Sequence, residues 1–74
     1  MSVANEIGLS IKKARKDRRL TQKELSEKIN ISRNYISDIE CGRYVPSVEK
    51  LFSIATVLNI DLNIFKNDGN TRDY

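Results

Sequence analysis

The sequence predicts an all-α protein folded as a compact five-helix bundle, and three observations support that prediction. Apolar residues recur every three or four positions along most of the chain, which matches the 3.6-residue period of a helix. Helix-capping residues precede these segments, and turn-forming residues follow them. Apolar and polar residues do not alternate over any sustained stretch between hairpin turns, so the pattern gives little support to a sheet.

The composition is typical of one small globular domain. The 74 residues are 39% hydrophobic and 31% charged, so the chain is too apolar for a disordered tail and too short for a two-domain enzyme. One cysteine and no histidine rule out an internal disulfide and leave a structural zinc site without most of its usual ligands. Because no signal pattern opens the chain and no apolar run approaches the ~20 residues that span a bilayer, we expect a cytoplasmic protein with no membrane partner.

The first predicted helix covers about residues 5–18. Its apolar stripe consists of Ile7, Ile11 and Ala14. Six basic side chains lie between positions 12 and 19, with Asp17 as the only acidic residue among them. Residues 1–43 carry ten basic and six acidic side chains, whereas residues 44–74 carry three and four. The N-terminal half therefore has a positive field, which fits either a polyanionic partner or a solvated helix face.

The next two predicted helices are short and lie on either side of a tight turn. Thr21 and Glu24 form a capping box, so the second helix begins directly after Thr21. It ends at Asn30, because asparagine tolerates the left-handed conformation that turns a chain sharply. Ser32 caps the third helix, which covers about residues 33–41. The inward residues and the stop signal of this helix are Ile36, Ile39 and Gly42.

Two further helices are predicted after a loop that contains Pro46. Ser47 caps the fourth helix, since proline disfavours helix at the residue before it. The apolar stripe of the fourth helix consists of Val48, Leu51, Ala55 and Leu58. Asp61 is expected to cap a final short helix that holds Leu62 and Phe65.

The two short helices and their turn form a helix-turn-helix, which we place at residues 21–42 with a recognition helix at about 32–41. The folded domain is expected to cover residues 1–66, and residues 67–74 are expected to form a polar flexible tail. The segments that carry the motif are Thr21-Gln22-Lys23-Glu24-Leu25-Ser26, Ile31-Ser32, Tyr35-Ile36-Ser37-Asp38-Ile39-Glu40, Gly42 and Pro46-Ser47. In these segments the sequence resembles the Cro and phage-repressor (XRE) type of helix-turn-helix DNA-binding proteins.

The resemblance implies a lambda-repressor-like DNA-binding domain whose third helix enters the major groove of double-stranded DNA, as a homodimer on a two-fold operator. We therefore expect a sequence-specific transcriptional regulator, with repression as the leading function and a contact with RNA polymerase left open. No cofactor or small-molecule ligand is expected. An enzyme is not expected either, because Cys41 has no histidine to activate it and no carboxylate cluster resembles a metal site. The alternative is a protein-interaction module, such as an antitoxin or a polymerase-binding accessory factor.

The outer side of the predicted recognition helix carries hydrogen-bonding groups. With Ile36 facing inward, a step of about 100° per residue places Asn34 and Asp38 on the opposite side. The expected base-reading residues are Arg33, Asn34, Ser37 and Asp38. Arg33 fits guanine or a phosphate, Asn34 fits adenine, and Ser37 either contacts DNA or is merely solvated. Asp38 either accepts from a cytosine amine or holds Arg33 or Asn34 in place, and we favour the second role.

A second group of residues is expected to contact the DNA backbone. Its members are Thr21, Gln22, Lys23, Ser32, Cys41, Arg43 and Tyr44. Gln22 matches a glutamine that contacts the backbone in the family, and its alternative role is a second cap. Thr21 and Ser32 are equally explained as caps. Cys41 stands where the family often has a polar phosphate contact, so that contact is weakened, and an incidental unpaired cysteine is favoured over a thiol that senses oxidation.

Two further sets of residues are expected to hold the fold and the assembly together. Arg15 and Glu40 match family positions that pair between the first and third helices, so we expect an ion pair. A lone recognition helix covers only a half-site, and a dimer is therefore expected. The candidate residues of the dimer contact are Val57, Ile64 and Phe65, with packing under the first helix as the alternative.

Overall fold

The computed structural model describes residues 2–61, and within them the chain forms four α-helices and no strand. The helices are α1 (Val3–Asp17), α2 (Gln22–Ile29), α3 (Arg33–Glu40) and α4 (Val48–Leu58). The all-α class is thus confirmed for this part of the chain. None of the four helices has the length and apolar character needed to cross a bilayer. The predicted fifth helix, with Leu62 and Phe65, and the tail at 67–74 lie outside the described residues.

Each helix begins after a side chain that caps its first turn. The four caps, whose hydroxyl oxygens each accept a backbone N–H three residues later, are Ser2, Thr21, Ser32 and Ser47. The capping box of α2 is complete, because Oε1 of Glu24 accepts from the Thr21 N–H over 2.8 Å. α1 starts two residues before its predicted start at residue 5, since Ser2 satisfies the free N–H of Asn5.

Left-handed residues separate the helices. Asn30, between α2 and α3, has φ 56°, as its residue type predicts, and Gly42 after α3 has φ 77°. Asn59 ends α4 in the same way, with φ 56°. Arg19 adopts φ 59° in the α1–α2 connection, although nothing in its residue type favours that conformation. These turns set the directions in which α2, α3, α4 and the chain after α4 begin.

The apolar sides of the four helices meet in one core. Its fully or almost fully buried members are Ile7, Ile11, Leu25, Ile36, Ile39, Ile54 and Leu58. The predicted position of Val48 in this core is wrong, because its side chain is 69% exposed, whereas Ile54 is completely buried. Around the helix axis Ile54 lies about 40° from Leu58, but Val48 lies about 80° away and on the first turn. The buried stripe of α4 is therefore centred between Ile54 and Ala55.

α1 crosses α3 at a close backbone contact. A Cβ atom at Gly8 would meet the carbonyl oxygens of Ile39 and Glu40, so only glycine allows this approach. At the other end of α1, Nε of Arg18 donates to the carbonyl oxygen of Leu58 over 2.6 Å. α1 thus covers one side of α3 and is tied to the end of α4, which leaves the opposite side of α3 uncovered.

Candidate nucleic-acid interface

α3 has one buried side and one exposed side. Ile36 and Ile39 have no exposed surface, whereas Arg33 and Asn34 are exposed at the start of the helix. Within residues 2–61, neither the Arg33 nor the Asn34 side chain has a hydrogen-bond partner. Their guanidinium and amide groups are therefore free to bind a ligand that presents acceptors, such as a base edge.

Farther along the same side of α3, Ser37 and Asp38 are half-buried. Oδ1 of Asp38 accepts a hydrogen bond from Nη1 of Arg43 over 2.6 Å. The expected contact of Asp38 with Arg33 or Asn34 does not form within residues 2–61, because the turn at Gly42 brings Arg43 to the carboxylate instead. The hydrogen bond from Arg43 to Asp38, and then the charge of Asp38, raise the pKa of Arg43 above its ordinary value.

A shallow depression lies where the first turns of α2 and α3 come together. The side chains that line it are Arg15, Thr21, Gln22, Lys23 and Arg33. Lys23 and Arg33 contribute positive charge there, whereas the charge of Arg15 is paired with Glu40, and the N-terminus of α2 adds the positive end of its dipole. This arrangement suits an anion, so the structure brings the predicted backbone contacts of α2 next to the predicted base reader Arg33.

Gln22 is held in this depression by a hydrogen bond that its sequence position does not predict. Its Nε2 donates to Oε1 of Glu40 over 3.0 Å. The amide therefore does not act as a second cap of α2, the alternative considered for it. Its carbonyl oxygen and second N–H keep their hydrogen-bonding capacity, and the side chain is half-buried with a defined direction.

Arg15 and Glu40 form the ion pair that the resemblance implies. Nε of Arg15 lies 2.7 Å from Oε2 of Glu40, and Nη2 lies 3.1 Å from Oε1, so the guanidinium binds the carboxylate through two bonds. Nη1 donates to the carbonyl oxygen of Leu20 over 2.7 Å. The side chains of Arg15 and Glu40 are only 9% and 2% exposed. One buried network thus joins α1, the α1–α2 connection, α2 and α3.

The other predicted backbone contacts are at the surface. Thr21 and Ser32 both act as caps, and a hydroxyl that accepts one N–H still has its own hydrogen to donate. Lys23 is exposed on the first turn of α2. Cys41 caps the C-terminus of α3 and has a free, exposed thiol.

Tyr44 has a ring partner that sequence reasoning missed. Its ring centroid lies 5.3 Å from that of Tyr35, with the planes tilted by 49°, and Nζ of Lys50 lies 6.0 Å from the Tyr35 ring. No local pattern signals this contact, because the turn at Gly42 decides where the loop returns. Desolvation, and then the neighbouring Tyr35 and Asp38, raise the pKa of Tyr44 above its ordinary value.

The predicted dimer residues are only partly described. Val57 is half-buried and packs against the core, while Ile64 and Phe65 lie outside the described residues. Val48 and Phe52 expose 69% and 55% of their surface on α4.

Within residues 2–61, no group of three or more potential metal ligands occurs.

Comparison with known proteins agrees with this geometry. A family model described as helix-turn-helix matches residues 11–65, which is most of the chain. The chain belongs to the Cro/C1-type helix-turn-helix family. The match begins at Ile11 in the core of α1 and includes α2, α3 and α4, so the family relationship covers both the fold and the exposed side of α3.

Phage proteins and one bacterial regulator illustrate what this Cro/C1-type protein is similar to. It is 46% identical to the ImmF control region 10 kDa protein of Bacillus phage phi105 over 61 residues, which cover 82% of this chain and 68% of that protein. It is 47% identical to the immunity repressor protein of the same phage, over 77% of this chain but only 40% of the repressor. The crystal structure of the clp gene regulator ClgR from Corynebacterium glutamicum superposes with a TM-score of 0.82 at 28% identity, covering 88% of this chain and 69% of that one.

Proposed function

We propose that this protein is a sequence-specific transcriptional regulator, with repression as its leading function, that binds double-stranded DNA as a dimer through the major groove. The observation that carries the proposal is the pair of exposed side chains of Arg33 and Asn34, which have no partner among the described residues. They project from a helix whose other side is locked into the core by Ile36 and Ile39. A rigid helix with free donors and acceptors suits the readout of base edges.

The residues divide into base readers and backbone contacts. Asn34 can donate to N7 and accept from N6 of adenine, and Arg33 can bind guanine through two donors. The depression next to them, with Gln22 and Lys23, would receive a phosphate at the start of α2. Ser37, one turn after Arg33, would contribute a weaker contact from the side of the helix.

A dimer follows from the size of this interface. One α3 of eight residues covers only a half-site, and two copies about 34 Å apart on one face of the duplex would give specific affinity. Val57 and the segment with Ile64 and Phe65 remain the candidate contact between the copies.

Selection of bound sequences from a random pool of DNA duplexes tests this proposal. The wild-type protein should enrich a two-fold motif with half-sites one helical turn apart. Asn34→Ala should relax the preference at one base position in each half-site, whereas Gln22→Ala should weaken binding to all sequences alike. Lys13→Ala, on the side of α1 away from α3, is the matched control and should enrich the wild-type motif.

Two results would contradict the proposal. One is a selection in which the wild-type protein enriches no motif. The other is the finding that neither the wild-type protein nor the variant with alanine at both Arg33 and Asn34 binds DNA, while both bind a protein partner equally well. That result would indicate a protein-interaction module instead.

A further inference from the structure

The exposed side of α3 carries an acidic residue, Asp38, although a carboxylate beside DNA is repelled by phosphates. In the structure this carboxylate is already paired, because Oδ1 accepts from Nη1 of Arg43 over 2.6 Å. The two side chains are 35% and 63% exposed. The pair therefore lies at the surface near the C-terminal end of α3, and the core does not depend on it.

The backbone brings the two residues together independently of their charges. Gly42 has φ 77°, and the Arg43 N–H donates to the carbonyl oxygen of Asp38 over 3.0 Å. This turn places Arg43 beyond the last residue of α3 and beside Asp38. The bond between the side chains then favours one direction for a long side chain that would otherwise adopt many rotamers.

We propose that Asp38 is a positioning residue, which aims Arg43 at a phosphate of the DNA backbone beyond the end of α3 and does not itself read a base. The inference rests on the proposed function, since it concerns the same DNA complex. A guanidinium has five N–H donors in a planar fork, so a bond to Asp38 leaves donors for a phosphate oxygen. The pairing also neutralises the carboxylate, which removes its repulsion from the backbone.

This assignment divides the work along α3. Arg33 and Asn34 on the first turn distinguish bases, while Asp38 and Arg43 at the other end fix the helix against the backbone. Only the first pair would then determine which operator is chosen, and the second pair would determine how strongly any sequence is held.

A double-mutant cycle tests the proposal. Affinity for the operator enriched by the wild-type protein is measured over a series of salt concentrations for Asp38→Asn, Arg43→Gln and the double variant. Arg43→Gln should weaken binding to operator and unrelated DNA alike and reduce the salt slope by about 1. Asp38→Asn should weaken binding about three- to tenfold when Arg43 is present, because the guanidinium is no longer ordered before binding. In the Arg43→Gln background it should cause no loss or a slight gain, since it removes only a negative charge.

Two further variants sharpen the test. Asp38→Glu keeps the charge and should retain more affinity than Asp38→Asn does. Asp17→Asn is the matched control, because Asp17 forms an exposed ion pair of 2.9 Å with Lys13 on α1. The effect of Asp17→Asn on DNA affinity should be the same in the wild-type and Lys13→Ala backgrounds. Thermal unfolding followed by circular dichroism establishes that each variant is folded.

Several outcomes would overturn the inference. Asp38→Asn that changes the preferred base at one operator position would make Asp38 a base reader. Tighter binding by Asp38→Asn in the presence of Arg43 would mean that the ion pair withholds Arg43 from DNA. An equal effect of Asp38→Asn on affinity in the presence and in the absence of Arg43 would show that the two residues are not coupled. If the wild-type protein enriched no motif at all, the proposed function would fail and this inference with it, whereas the other outcomes contradict the inference alone.

Discussion

Gln22 at the start of α2 and Glu40 at the end of α3 are joined by a hydrogen bond of 3.0 Å between Nε2 and Oε1. Glu40 is at the same time the buried partner of Arg15 from α1. The two helices of the helix-turn-helix are therefore held by a polar network as well as by the core.

Arg15→Met should lower the free energy of unfolding by about 3 to 5 kcal/mol, because it leaves the carboxylate of Glu40 buried without its counter-charge. Urea denaturation at neutral pH measures this change. Lys13→Met is the matched control on the same helix, since Lys13 forms an ion pair with exposed Asp17. It should cost no more than about 1 kcal/mol, and similar losses for the two variants would show that burial of the pair does not matter.

Gly8→Ala should destabilise the protein by about 1 to 3 kcal/mol, because the new methyl group would press on the carbonyl oxygens of Ile39 and Glu40. At an ordinary helix position the same change would stabilise the protein by about 1 kcal/mol, because alanine has the higher helix propensity. The predicted change in stability therefore has the opposite sign to the one that helix propensity gives. Thermal unfolding reports the sign directly. Leu9→Ala, at the exposed neighbouring position, should stay within about 0.5 kcal/mol, and a stabilised Gly8→Ala protein would rule out the close crossing.

Features that depend on neighbouring residues in the sequence could be predicted. Thr21, Ser32 and Ser47 cap their helices as expected, because a capping side chain binds an N–H only three residues away. Asn30 turns left-handed for an equally local reason. For residues 2–61 the sequence therefore predicts the helices to within one or two residues.

Features that depend on how the helices pack could not be predicted in the same way. The bond from Gln22 to Glu40 joins residues 18 positions apart, and it exists because α2 and α3 cross at that point. Asp38 could be recognised as a carboxylate that needs a partner, but the turn after α3 decided that the partner is Arg43. The family resemblance, together with the inward position of Glu40 on its helix, predicts the ion pair of Arg15 with Glu40.

Ser47→Ala should lower the free energy of unfolding by about 1 kcal/mol, because the N–H of Lys50 loses its acceptor at the start of α4. Ser53→Ala in the exposed middle of the same helix is the control. It should have no effect or a slightly stabilising one, since alanine has the higher helix propensity. Chemical denaturation of both variants checks the prediction. Equal losses in the free energy of unfolding for the two variants would contradict it.

Arg19→Gly should keep or raise the stability by up to about 1 kcal/mol, because glycine adopts the φ of 59° at this position without the strain that a side chain brings. Lys16→Gly, three residues earlier on the last turn of α1, should lower it by about 0.5 to 1 kcal/mol. Only the substitution at Lys16 is thus expected to lower the stability, although the two positions lie in one short segment. Differential scanning calorimetry compares them, and a loss at Arg19 as large as that at Lys16 would contradict the left-handed assignment.

The buried contact of Arg15 with Glu40 also bears on how such a protein could diverge. Any substitution in that network disturbs the packing of α3 against α1 and α2, so natural variants there would lose folding and function together. The side chains of Arg33 and Asn34 bond to no residue of that network within residues 2–61, and replacing them by other residues leaves the core unchanged. Under the proposed function, a gene duplicate would therefore acquire a new target site through two surface codons while it inherits its scaffold unchanged.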